Sequence, residues 1–371
     1  MSKSPNVYIL YTGGTIGMVG HPLSPMSAEE FKVRLSKEPR FTTRSVIVQT
    51  PTNKDYEINY TIEGFETPID SSCMTPGDWI QIAERILGNY EGHEGFVVLH
   101  GTDTMAWTSS ALSYLLDGLT KPVIVTGSQI PLAQTRNDGL RNLLTSIILA
   151  ATSKIPECCL FFNTDLMRGN RAVKVNASEF NGFASPKSPP LATVGIEAII
   201  NRVHVLPQPP ASTSLDDPLN REKQMNLLQK MKKELTKFSV VPMLLFPGIQ
   251  ASMMEAIFTY TTPPVKGMVL EAFGEGNAPA TTDFLDVLKK YIDAGVTIVD
   301  DTQCLSGTVN INAYHSATGL RKAGVISGYD MTPEASLTKL IYLIGLGLHP
   351  SEVKTMMQTE LHGDLTKPVS H

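Results

Sequence analysis

Two short runs carry most of the reactive side chains: Thr12-Gly13-Gly14-Thr15-Ile16-Gly17 and His100-Gly101-Thr102-Asp103-Thr104. A threonine hydroxyl is a poor nucleophile until a neighbouring proton acceptor assists it. No Gly-x-Ser-x-Gly elbow occurs, and Gly127-Ser128-Gln129 continues differently, so a Ser-His-Asp arrangement is not indicated. The alternative is a threonine assisted by a lysine held near a carboxylate, and Asp103 stands beside Thr102 for that purpose. Gly13, Gly14 and Gly101 would let backbone N–H groups approach a substrate, as an oxyanion hole requires. The chemistry these residues point to is hydrolysis through a threonine nucleophile.

Each feature also has a structural reading. The glycine pair fits a tight turn or a phosphate cradle, but Thr15-Ile16-Gly17 does not continue as GxGxxG and no GKS or GKT follows. Thr102 and Thr104 are plausible caps of the next helix, and Asp70-Ser71 is ordinary turn chemistry. His100 reads as a buried or hydrogen-bonded strand-end residue rather than a base.

Both runs follow apolar strands, Val7–Tyr11 and Gly95–Leu99, so one sheet would bring them to a common carboxyl edge, where open α/β sheets bind ligands. Gly20–Pro25 reads as a mobile loop over that edge. Thr75-Pro76-Gly77-Asp78 carries an N-cap, a proline at the first helical position and an acidic first turn. Trp79, Ile82, Ala83, Ile86 and Leu87 then share one helix face. Ala106, Ser109, Leu112 and Leu116 keep helical register, and Pro122–Ser128, which ends in small polar residues, Leu160–Phe162 and Ala172–Val175 read as strands. A proline-rich stretch and a charged amphipathic segment at about 220–237, striped by Met225, Leu228 and Met231, read as a linker. A second unit follows, with strands at 240–246, 267–271 and 296–300. Its helices are placed at 250–259, 281–294 (stopped by Gly295) and 333–345 (capped by Thr332). The chain is therefore read as an α/β protein in three parts: residues 1–206, a linker at 207–238, and residues 239–371.

With 371 residues, 42% of them hydrophobic and a net charge of −5, the chain has ample core. It shows no basic patch for nucleic acid, and no apolar run long enough to span a membrane. The first residues leave no room for a secretory leader. Cys73, Cys158, Cys159 and Cys304 lack CxxC spacing and read as reduced, mostly buried thiols, without a metal site, which places the chain in the cytoplasm.

Taken together, the two threonine runs resemble the paired hallmarks of the asparaginase/glutaminase family, and the similarity follows its cytoplasmic type I branch along nearly the whole chain. Asp70–Pro76, Val125–Pro131, Arg168-Gly169-Asn170-Arg171, Phe183–Pro186 and Gly276-Asn277-Ala278-Pro279 extend it. The resemblance implies a larger flavodoxin-like N-terminal domain with a mixed, mostly parallel sheet, and a smaller Rossmann-like C-terminal domain. It implies Thr15 as nucleophile, attacking the side-chain amide of L-asparagine. Thr102, Asp103 and Lys174 would form a second triad, and Asp70, Ser71, Ser72, Thr102 and Asp103 would hold the substrate. It implies no cofactor, and a homodimer or homotetramer in which Asn277 of a neighbouring subunit completes the site. Related activities are glutamine hydrolysis, a transfer-RNA amidotransferase subunit and a lysophospholipase, for which no apolar acyl site is evident. A non-catalytic amino-acid sensor would have no need of the nucleophile.

Two positions depart from the family pattern. The segment His21–Pro25 carries no tyrosine where many members place one on the mobile loop. Thr302-Gln303-Cys304 resembles part of an asparagine effector site, but Glu271 stands where an arginine is expected. A carboxylate there would repel the effector's own carboxylate, so weak or absent activation is expected.

Overall fold

The computed structural model describes residues 4–42, 44–48, 56–310 and 315–367; Met1–Lys3, on which the expectation of no leader rests in part, lie outside them. The chain divides into two compact units. The first comprises residues 1–185 and 189–225, and the second residues 186–188 and 226–371.

The first unit is built on a nine-stranded sheet. Its first strand, Asn6–Gly13, third from one edge, is buried from Val7 onward, as expected of a parallel strand covered on both faces. Tyr56–Ile69 lies parallel on one side of it and Gly95–Leu99 on the other. Val123–Thr126 and Cys158–Phe162 continue the parallel order. The edges are antiparallel: Ser45–Val48 on one side, and Asp165–Arg168, Ala192–Val194 and Ala198–Ile200 on the other. Because the chain moves from one flank of the first strand to the other, that strand is the topological switch point, where α/β sheets open a crevice.

The register decides what reaches that crevice. Gly13 pairs with Ile69, Tyr11 with Leu99, and Leu99 with Thr126. Gly13–Thr15, Asp70–Ser72, His100–Asp103 and Gly127–Gln129 therefore leave the sheet at one level.

The expected helices form for the expected reasons. Pro76–Gly88 starts with a capping box in which the Asp78 carboxylate accepts from Thr75 N at 2.8 Å and Thr75 Oγ1 at 2.6 Å. Its five face residues are all buried. Met105–Leu115 is buried almost all round. Gly20–Pro25 is not a simple loop, since Met18–Val19 and Ser24–Pro25 pair antiparallel. The Ala172–Val175 strand also differs: Val173–Lys174 pairs with Phe183–Ala184 in a separate two-stranded ribbon. Of the cysteines, Cys158 and Cys159 are buried but Cys73 and Cys304 are exposed, so "mostly buried" holds for only one pair. Helix Pro218–Glu234 turns Leu228 and Met231 inward and leaves Met225 half-buried.

The second unit has a four-stranded parallel sheet of Ser239–Leu244, Val265–Ala272, Thr297–Thr302 and Ile326–Ser327. Helices Ala251–Tyr260, Thr282–Asp293 and Pro333–Gly345 pack around it, the last capped by Thr332 Oγ1 accepting from Ala335 N. No helix among the described residues is long and apolar enough to cross a membrane.

Candidate active site

Lys174 is brought to the second threonine run. Its Nζ donates to Thr102 Oγ1 at 2.9 Å and to Asp103 Oδ1 at 2.7 Å. Thr102 is nearly buried, whereas the Asp103 carboxylate is 63% exposed and the Lys174 side chain 22%. The three groups thus form a chain from the sheet edge out to solvent. Residues 72 positions apart meet because the ribbon Val173–Lys174 leaves a three-residue turn, Gly169–Arg171, that packs against helix Met105–Leu115. Ser109 Oγ donates to Gly169 O at 3.0 Å, and a side chain at Gly169 would strike Ser109 O and Cys158 O.

The first threonine run touches the second through glycine backbones. A Cβ on Gly14 would lie 2.3 Å from Gly101 N, and one on Gly101 would lie 2.5 Å from Ser71 Oγ. The loops meet at the residues immediately before Thr15 and Thr102, a distance only two glycines permit. Thr15 itself is half-buried and opens the turn Thr15–Gly17. Thr12 Oγ1 donates to Leu99 O at 2.9 Å, stapling the two strands just below their loops.

The Asp70–Ser72 segment borders this junction. Asp70 Oδ1 accepts from Ser72 N and Ser72 Oγ, each at 2.9 Å, while Thr104 Oγ1 donates to Ser71 O at 2.7 Å. Thr104 stands at the N-cap of its helix but makes no capping bond. Neither threonine is spent on the cap that the structural reading allowed.

Gln129 was not singled out from the sequence. Thr102 Oγ1 donates to its Oε1 at 3.4 Å, and its Nε2 donates to Asn176 O at 3.3 Å and Glu179 O at 3.0 Å. It therefore links Thr102 to the loop that follows Lys174. The signal available was the strand end Val125-Thr126-Gly127-Ser128, which the register places at the shared edge. The Asp138 carboxylate accepts from Gln129 N and Ile130 N, holding that turn.

Among the described residues no tyrosine hydroxyl bonds the Thr15 side chain. Tyr11 comes nearest the hairpin, but its hydroxyl donates to Met26 O at 3.1 Å and its ring stacks on Phe31 at 4.8 Å. Burial pushes that phenol well above its ordinary range.

In the second unit, Asn277 closes a turn with Phe273: its N donates to Phe273 O at 2.8 Å, and Phe273 N donates back at 2.9 Å. Around the candidate effector residues, Thr302 Oγ1 donates to Gly274 O and accepts from Cys304 N. Gln303 Nε2 donates to Leu245 O and Glu271 O. Glu271 is half-buried, and burial raises its carboxyl above the usual range.

Family models match the chain in two blocks, the N-terminal asparaginase domain over residues 6–206 and the glutaminase/asparaginase C-terminal domain over residues 239–357. The chain belongs to the asparaginase family. It is 40% identical to L-asparaginase 1 of Escherichia coli (strain K12), over 98% of this chain and 99% of that one. The crystal structure of L-asparaginase I from Vibrio cholerae matches with a TM-score of 0.80 at 39% identity, covering 98% of this chain and all of that one. A 60 kDa lysophospholipase of Mus musculus is 38% identical over the whole of this chain, which spans 64% of that protein. The asparaginase fold, a large mostly parallel sheet and a smaller parallel one, agrees with the fold class expected from the sequence.

Proposed function

We propose that the protein is an L-asparaginase, hydrolysing L-asparagine to L-aspartate and ammonia through an acyl-enzyme on Thr15. The observation that carries this reading is the Lys174–Thr102–Asp103 hydrogen-bond chain standing where the Gly14 and Gly101 backbones touch. The full-length likeness to L-asparaginase 1 of Escherichia coli supports the substrate.

In this mechanism Thr15 Oγ attacks the side-chain amide carbon, and backbone N–H groups of the glycine loops stabilise the oxyanion. Ammonia leaves with the proton given up by the nucleophile. Water then attacks the ester carbonyl as its proton passes to the Thr102–Lys174 pair, with Lys174 as the neutral amine in this step and the Asp103 carboxylate orienting it; the ester C–O bond breaks, the proton is passed on to Thr15 Oγ, and aspartate is released. Asp70, Ser71 and Ser72 border the same junction and hold the amino and carboxylate ends of the substrate, with Asp103. Asn277 of a second subunit completes the site in a homodimer or homotetramer. Ile196, Ile199 and Val203, which are 100%, 72% and 88% exposed, support a face covered by another copy. Four free cysteines, two of them exposed, support a reducing cytoplasm.

The test is ammonia release by the purified protein with L-asparagine and L-glutamine side by side, together with Thr15→Ala. Release favouring asparagine and abolished in the variant is expected. A fully active Thr15→Ala enzyme would sink the nucleophile, and silence with both amides would sink the activity.

A further inference from the structure

His100 takes no part in the chemistry above, yet it is fully buried at the root of the turn that carries Thr102 and Asp103. Its Nδ1 lies 2.7 Å from Gly101 O and its Nε2 2.9 Å from Thr108 Oγ1. A carbonyl oxygen only accepts, so Nδ1 must carry a proton and donate. With the ring neutral, Nε2 is then an acceptor, and the Thr108 hydroxyl donates to it. Burial favours that neutral ring, pushing the imidazolium down to about 4.

The peptide this ring touches is gripped from every other side. His100 N donates to Thr126 O at 2.8 Å. A Cβ on Gly127 would lie 2.2 Å from His100 O, and Gly14 and Ser71 close on Gly101 as described. What those contacts leave unset is the rotation of the Gly101–Thr102 peptide plane, and the Nδ1–H bond to Gly101 O sets it. Since C=O and N–H of a trans peptide point in opposite directions, a carbonyl drawn to the buried ring turns the Thr102 N–H away from it.

We propose that His100 is a positioning residue: as the Nδ1–H tautomer that the Gly101 carbonyl requires, with its ring steadied by Thr108, it fixes the Gly101–Thr102 peptide and thereby aims Thr102 and Asp103 at Lys174. This rests on the amidohydrolase reading. Thr108, one helical turn into Met105–Leu115, donates to Nε2 and holds the ring in the plane from which Nδ1–H reaches Gly101 O. The ring neither touches the reacting atoms nor exchanges protons with them.

The test joins a spectroscopic and a kinetic readout. In protein labelled with 15N-histidine, compared with His100→Asn to assign the signal, the wild-type ring should show a protonated Nδ1 and a bare Nε2 at neutral pH. The reverse tautomer, or a doubly protonated ring, overturns the proposal; neither result depends on which substrate is turned over. His100→Leu should lower kcat at least about tenfold with a much smaller change in KM, while His100→Asn, whose amide nitrogen can replace Nδ1, recovers most of it. A folded His100→Leu enzyme with native kcat overturns the proposal. If that variant does not fold, Thr108→Val against Thr108→Ser carries the test, with loss of kcat expected only in the valine form; equal rates in the two refute it. A wild-type enzyme inert toward both amides defeats the proposed function while leaving the tautomer measurable.

Discussion

Lys174 Nζ stands 2.7 Å from Asp103 Oδ1 and, on its other side, 2.9 Å from Thr102 Oγ1. One lysine nitrogen thus bridges a largely exposed carboxylate and a nearly buried hydroxyl. An isolated pair at this exposure contributes little to stability, so its significance is positional. Lys174→Met should therefore leave the unfolding temperature nearly unchanged while reducing kcat roughly 100- to 10,000-fold, the usual range for losing a positioned proton-transfer group. Ammonia release and a thermal melt on the same sample check this; a large drop in melting temperature with kcat intact would reverse the assignment.

The glycine junction predicts a different pattern. Gly14 has φ of +84°, and a Cβ there would sit 2.3 Å from Gly101 N. Gly14→Ala should cost about 1–3 kcal/mol of stability from the clash and strained backbone. It should also displace Thr15 from Thr102, so turnover falls along with the melting temperature. Denaturant titration with parallel kinetics measures both, and a native-like, active alanine variant would contradict the close approach.

The second unit should lose stability with rising pH. Burial pushes the Asp301 and Glu334 carboxyls up to about 7, and burial together with neighbouring Asp301 pushes Asp300 up to about 8. Lys187 opposes the shift at Asp301 and Glu334, while Glu271 reinforces it. The folded state then keeps protons that an unfolded chain, with carboxyls near about 4, has released. Stability therefore falls as pH rises from about 4 towards about 8. Asp301→Asn should flatten that fall, seen as a smaller change in unfolding midpoint between pH 5 and 8. An unchanged slope would show that Asp301 titrates normally.

Asparagine should activate the enzyme weakly or not at all. The Glu271 carboxylate would repel an effector's carboxylate brought beside it, and Thr302 and Gln303 are already engaged with backbone carbonyls. Initial rates should rise hyperbolically with asparagine. A sigmoidal curve that becomes hyperbolic in Thr302→Val would establish the effector site after all.

Local chemistry was legible from the chain itself. Thr75-Pro76-Gly77-Asp78 and Thr332-Pro333 announce helix starts because capping bonds span three residues, and Gly295, at φ of +97°, marks a helix stop for the same short-range reason. The two threonine runs were legible as strand ends, and the burial of Val7–Tyr11 and Gly95–Leu99 agrees with their unbroken apolar character. The strand Tyr56–Ile69 has no counterpart among the sequence expectations, although Ile58, Tyr60 and Ile62 alternate inward with the polar Asn59 and Thr61 between them, the period of a half-buried strand. Helix Gly139–Thr152 likewise has no counterpart among those expectations, its periodicity blurred by Leu and Ile on several faces.

Other relations existed only once the sheet was assembled. Which loops share an edge follows from strand order and register: Gly13 opposite Ile69, Leu99 opposite Thr126. That order arises from burial of both faces of the sheet, a sum over the whole unit that no local window contains. The Lys174–Thr102 bond across 72 residues, the Gln129 link and the tautomer of His100 depend on it. Sequence alone determined which groups were available for the chemistry; tertiary structure decided which of them meet, because hydrogen bonds act over about 3 Å and only the packed sheet brings distant strand ends that close.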